Sequence, residues 1–209
     1  MPFDTLLALI GRTTMSFKKM LLPLGLICFL FGSSQAVAAP SPTEQLREVV
    51  DGVMALLKQP EVDQAQRRQQ MRDLIAPHFD FEVMSRSILA KNWKKADAAQ
   101  RDRFVELFKR LMENTYIAAM ESYTNETIRY GKEKIRKNKA VAETFIIRTG
   151  VEIPVIYRLR QRGDKWLAYD VVIEGVSIVR NYRSSFASLV KKQGIDGLLA
   201  NLESKVQGG

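Results

Sequence analysis

The sequence has one cysteine, one histidine and no apolar run long enough to span a bilayer, and each shortage narrows what the chain can do. Its longest apolar stretch, residues 20–31, is 12 residues long, whereas a membrane-spanning helix needs about 20. Cys28 lies inside that stretch, so the rest of the chain forms no disulfide and no thiolate metal site. With His78 as the sole histidine, the H-E-x-x-H zinc motif and any site needing two histidines are excluded. A Ser–His–Asp triad would have to use His78, which sits in a segment joining helices; a partly exposed loop residue is the plainer reading. The G-x-S-x-G elbow, the P-loop and the G-x-G-x-x-G loop are all missing. The expectation is a protein that is not an enzyme and needs no metal or cofactor.

What is present begins with an export signal. Lys18 and Lys19 precede the apolar run, small residues follow it, and Ala36-Val37-Ala38 supplies an A-x-A site. Residues 1–38 therefore read as a cleaved signal peptide, residues 39–209 as a single domain, and the periplasm as the destination. Met15 would itself start a signal of ordinary length. Ile27 stands before Cys28 where a lipoprotein signal carries a small residue, so lipid attachment is not expected. Of the formal net charge of +9, the leader holds +2 through Asp4, Arg12, Lys18 and Lys19, leaving +7 beyond it. Export makes nucleic acid a poor partner for this charge and points to anionic lipid surfaces or acidic proteins.

The exported part divides into a helical first half and a strand-rich second half with a helical tail. Over 41–58, Leu46, Val49, Val50, Val53, Met54 and Leu57 form an apolar stripe at helical spacing. A charged helix is predicted over about 63–76, and a short one after His78-Phe79-Asp80-Phe81 carries Val83, Met84, Ile88 and Leu89. From Asp97, capped with Gln100 in a box-like arrangement, a six-turn helix shows Phe104, Phe108, Leu111, Thr115 and Ala118 on one face. Between residues 141 and 159 the apolar residues fall on odd positions, among them Ile147, Val155 and Tyr157, with Arg and Glu on even ones. That is the period of strands with one wet face. Residues 162–165 turn the chain, and Leu167, Tyr169, Val171 and Ile173 are expected to share one side of the next strand. Residues 126–136 read as an edge strand. Helix returns after Gly175, Gly194 reads as a C-terminal cap, and Asp196 as the cap of a last short helix. The order implies an α+β fold in which helices cover one face of a curved, mostly antiparallel sheet.

Three features bear on chemistry. Asp170 and Glu174 are close in sequence; Asp170 lies opposite the apolar side and reads as a solvent-facing or salt-bridge residue, and Glu174 as a residue of the pocket rim. The basic run over 132–139 reads as a solvated hairpin, with anionic headgroups or an acidic partner as the alternative, and no aromatic residue interleaves it. The apolar faces of the long helix and the sheet either fill the space between them or enclose a cavity for a greasy ligand, and periodicity does not separate the two.

The segment Trp166-Leu167-Ala168-Tyr169-Asp170-Val171-Val172-Ile173-Glu174-Gly175-Val176-Ser177 closely resembles a signature of the MlaC family, periplasmic phospholipid-binding proteins also known as toluene-tolerance or ABC-transporter auxiliary components. The resemblance continues through Asn181-Tyr182-Arg183 and Gly194-Ile195-Asp196-Gly197-Leu198. Upstream it takes in Phe79-Asp80-Phe81-Glu82-Val83-Met84, then Ile88-Leu89, Trp93, Gln100-Arg101, Phe104 and Phe108. It implies a nuclear-transport-factor-like curved sheet with a helical N-terminal subdomain. The implied function is a monomeric carrier that takes phospholipid as cargo in an apolar pocket. The implied partners are an outer-membrane lipoprotein complex and an inner-membrane ABC transporter with an MCE-domain ring, in a lipid-asymmetry pathway. Joined to the periodicity, the resemblance places Val83, Met84, Ile88, Phe104, Phe108, Leu111, Ile147, Val155, Tyr157, Tyr169, Val171 and Ile173 in the pocket wall. Alternatives are a hopanoid-like cargo, as in a branch of the family, or a curved-sheet enzyme using Glu174 as acid or base. Two departures stand out: Ala90 where the family often has Gly, and a short hairpin near Gly150.

Overall fold

The structure is a computed structural model and describes residues 39–59, 61–121, 126–148 and 150–208. The expected leader, with Met15 and Cys28, lies outside the described residues. Helix α1 spans Pro42–Leu57 and α2 spans Gln64–Ile75; α3 spans Phe81–Leu89 and α4 spans Ala98–Met120. Strands β1 (Thr127–Arg136), β2 (Lys139–Arg148), β3 (Val151–Arg162), β4 (Lys165–Ile173) and the two-residue β5 (Val176–Ser177) follow, and α5 (Ile178–Gln207) closes the chain. The strands form one antiparallel meander in chain order. This is the expected α+β fold, an open curved sheet with helices packed on it.

Local chemistry sets these boundaries. Asp97 and Gln100 form the expected capping box at the start of α4, with Gln100 N donating to Asp97 Oδ1 at 2.8 Å and Asp97 N to Gln100 Oε1 at 3.1 Å. Ser41 and Glu44 form a second box on α1. At Gly194 the backbone of α5 leaves the helical region with φ 72°, so the tail is two helical segments across a kink. Asp196 Oδ1, just beyond, accepts a hydrogen bond from Gln100 Nε2. Ala90, closing α3, takes φ 50° and ψ −118°, a left-handed conformation that glycine adopts without a Cβ penalty.

The strand parities differ from the alternation expected across 141–159. Two residues separate β2 from β3, so even positions face odd ones: Ile146 pairs with Ile153 and Ile147 with Glu152. The inner face of β2 is therefore its even set, with Ala140, Ala142 and Thr144 buried, while β3 turns Val155, Tyr157 and Leu159 inward. A second two-residue turn flips the parity again, pairing Leu159 with Ala168, and a bulge at Tyr169 restores it so that Val171 meets Tyr157. Leu167 and Tyr169 thus do not share a side with Val171 and Ile173.

The core falls into three groups. The largest joins α3, the first half of α4, α5 and β4 around Met84, Ile88, Phe104, Phe108, Phe186 and Leu198. A second sets Leu46 of α1 against Ala140, Ala142, Leu159 and Trp166, where small side chains let the helix lie close to the sheet. A third joins Val53, Met71 and Ile117 between α1, α2 and α4. Gly52 permits the α1–α2 approach, since a Cβ there would stand 2.7 Å from Leu74 Cδ2.

Candidate lipid-binding site

Between the three groups lies a cavity of about 230 Å³. One wall is the stripe of α1, Leu46, Val49, Val50, Val53, Met54 and Leu57. The second is the C-terminal half of α4 with Met112, Tyr116, Ile117 and Met120. The floor is the inner face of the sheet: Ile128, Thr144 and Ile146, then Val155, Tyr157 and Leu159, then Ala168, Val171 and Ile173. Phe79, Phe81 and Ile178 also line the cavity, and Gln45, His78, Arg72 and Glu113 bring polar groups to its wall.

Polar groups at the wall are few. Gln45 behaves as a short strand edge: Trp166 N donates to its Oε1 at 3.0 Å, and its Nε2 donates to Trp166 O. The same Nε2 donates to His78 Nδ1 at 3.2 Å. Burial chiefly, helped by the nearby Lys165 charge, lowers the His78 pKa below its ordinary value, in keeping with a neutral ring that accepts at Nδ1. Desolvation also pushes the Tyr116 hydroxyl up to about 12 and raises the Glu113 carboxyl. Among the described residues no three His, Cys, Asp or Glu side chains gather as metal ligands.

Of the residues expected in the pocket wall, Val155, Tyr157, Val171 and Ile173 line the cavity. The structure places the others elsewhere. Met84, Ile88, Phe104 and Phe108 are at most 2% exposed inside the filled core, and Leu111 packs against it. The Phe104 and Phe108 rings stack 6.0 Å apart, and each meets an α5 ring edge-on, Phe186 at 6.0 Å and Tyr182 at 5.4 Å. These rings fill that end of α4. Val83 is half-buried on α3 away from the cavity, Ile147 shares a parity with outward Glu152, and Tyr169 is the residue inserted at the bulge. Sequence reasoning missed the α1 wall. Its stripe was visible, but no signal in it separates a packing face from a cavity wall.

The candidate catalytic carboxylates are placed away from the cavity. Asp170 is buried, accepting from Arg158 Nη1 at 3.0 Å, Ser177 Oγ at 2.8 Å and Val179 N at 3.2 Å, so it ties β3 and β4 to the start of α5. Glu174 is exposed in the tight turn between β4 and β5, with φ 49°. The run over 132–139 forms the exposed β1–β2 hairpin.

Fold and site together define a helix-covered open-sheet domain with an apolar internal cavity, the architecture of a binding protein. The family profile described as MlaC protein matches residues 47–204, and the chain belongs to that family. As a member of that family the chain is not an enzyme. The intermembrane phospholipid transport system binding protein MlaC of Haemophilus influenzae is 26% identical over 178 residues, covering 80% of this chain and 83% of that protein. The toluene tolerance protein ttg2D of Pseudomonas putida is 29% identical over 126 residues, 59% of either chain. A phospholipid-binding protein from Ralstonia solanacearum, solved in complex with a phospholipid, shares the fold with a TM-score of 0.72 at 24% identity, over 78% of this chain and 96% of that one.

Proposed function

We propose that this protein is a periplasmic phospholipid carrier, released from residues 1–38 on export. It passes lipid between an outer-membrane lipoprotein complex and an inner-membrane MCE-domain ABC transporter, with phospholipid as cargo and no cofactor. The observation that carries the reading is the cavity wall, apolar on α1, α4 and the sheet alike, in a family whose relatives bear phospholipid-binding names. Covering about 400 Å² of acyl surface is worth roughly 10 kcal/mol at about 25 cal/mol per Å², enough to hold in water a molecule that water rejects. No bond chemistry is required.

The cavity's 230 Å³ is below the roughly 300–1,000 Å³ usual for ligand pockets. Admitting two tails therefore requires a wall to move outward, and α1 is the wall we assign that movement. Its cavity-facing Val49, Val50, Met54 and Leu57 are only half-buried. It is tethered by Gln45 on Trp166, by Thr43 N on Glu133 at 2.7 Å and by Arg47 stacked 4.1 Å over the Tyr130 ring.

The test is native mass spectrometry of protein purified from the periplasm without detergent, followed by organic extraction. A glycerophospholipid at one per chain supports the carrier, whereas a hopanoid moves it to that branch of the family. An empty protein that also refuses lipid from vesicles overturns the reading.

A further inference from the structure

One end of the apolar cavity carries two opposite charges, Arg72 of α2 and Glu113 of α4. Both also line a polar cleft of about 600 Å³ between α2 and α4, which meets the cavity through them and Ala76. Gln45 and His78, the hydrogen-bonded groups at another part of the wall, are committed to each other and to the Trp166 backbone. The cleft holds three cationic side chains, Arg72, Lys109 and Arg110, and three anionic ones, Asp73, Glu106 and Glu113. They are loosely matched. Lys109 Nζ stands 3.9 Å from Glu113 Oε1, and Arg72 and Asp73 both bond Gln69. Among the described residues, Glu106 and Arg110 enter no hydrogen bond or close ion pair.

Resting on the phospholipid-carrier reading, we propose that this cleft seats the lipid headgroup, with its phosphate against Arg72 and Arg110 and the ammonium of an amine-bearing headgroup against Glu106 and Glu113. An amphipathic ligand must leave its charged end where it stays solvated or paired, because burying an unpaired charge is costly. This cleft is an open, charged space that adjoins the cavity. Guanidinium forks match phosphate oxygens in pairs. Burial works against the charged form of Glu113, and an ammonium beside it would offset that penalty. A headgroup without an amine brings its phosphate up against the unpaired Glu106 and against Glu113, whose Lys109 partner stands 3.9 Å away, so the cleft discriminates by repulsion as well as attraction.

The experiment uses delipidated mature protein and vesicles of phosphatidylethanolamine and phosphatidylglycerol in equal amounts with identical acyl chains. Bound lipid is extracted and quantified. Wild type is expected to enrich phosphatidylethanolamine at least threefold. Glu106→Gln is expected to bring the ratio near parity without lowering the total, and Arg110→Gln to lower total loading several-fold. Both residues are exposed, so the fold tolerates the changes. Lys134→Gln in the distant β1–β2 hairpin removes a positive charge outside the cleft and should leave both readings unchanged. Equal loading of the two lipids by wild type, or a ratio that Glu106→Gln does not move, overturns the headgroup assignment and leaves the carrier standing. A wild type that loads neither lipid overturns the carrier reading, and this inference with it.

Discussion

Along α4, Phe104 and Phe108 lie near one end and Met112, Ile117 and Met120 nearer the other, and the two ends meet opposite surroundings. The first meets aromatic rings of α5 and aliphatic side chains of α3 in a filled core. The second meets α1 and the sheet across a cavity. What differs is the element opposite. At the filled end α3 and α5 bring bulky side chains to within contact, whereas at the hollow end α1 is anchored to the sheet at its first turns and the valines beyond do not reach across. A protein can therefore carry a rigid platform and a ligand space on a single helix, with stability drawn from one and binding from the other.

The most forceful way to break this comparison is Phe108→Ala. It removes a fully buried ring at the filled end and is expected to cost about 3–5 kcal/mol in chemical denaturation, while lipid bound per folded molecule stays unchanged. Val50→Trp acts in reverse. The indole projects from α1 into the cavity, so vesicle-derived lipid loading is expected to fall at least tenfold while stability shifts by no more than about 1 kcal/mol. Ala90→Gly relieves a left-handed backbone position beside the filled end and is expected to stabilise by about 1 kcal/mol without altering lipid loading.

The smallest effect is a pH dependence at the hollow end. The folded protein lowers the His78 pKa, so below the ordinary value of 6.5 the unfolded chain binds the proton more readily. The His78 contribution to stability is thus complete above that value and is lost as the pH falls through it. The melting temperature should drop slightly between pH 7.5 and 6, and His78→Gln should remove that drop.

Much of the fold was legible because it rests on local chemistry. The Asp97–Gln100 box, the break at Gly194, the tight turn at 162–165 and the helix-then-sheet order all follow from residues near one another in sequence. Which side of a strand faces inward was not legible, because it depends on pairing. A two-residue hairpin exchanges odd for even, which put Ile147 on the wrong side, and one bulged residue did the same to Tyr169. The site was less legible still. An aromatic stripe such as Phe104–Phe108 looks like a greasy wall, but stacked rings with partners opposite are what fill a core. The α1 stripe of Val49, Val50 and Met54 looks like ordinary packing until the space beyond it is known.

The central claim is that acyl chains occupy the space between α1, the far half of α4 and the sheet. Its most direct test is photo-crosslinking with a phospholipid carrying a diazirine midway along one acyl chain, with adducts mapped by peptide mass spectrometry. Adducts on residues 49–54 and 116–120, with none on Phe104 or Phe108, are the expected result. Adducts concentrated on Phe104, Phe108 and Ile88 would place the lipid among the packed rings of the filled core and would contradict that claim.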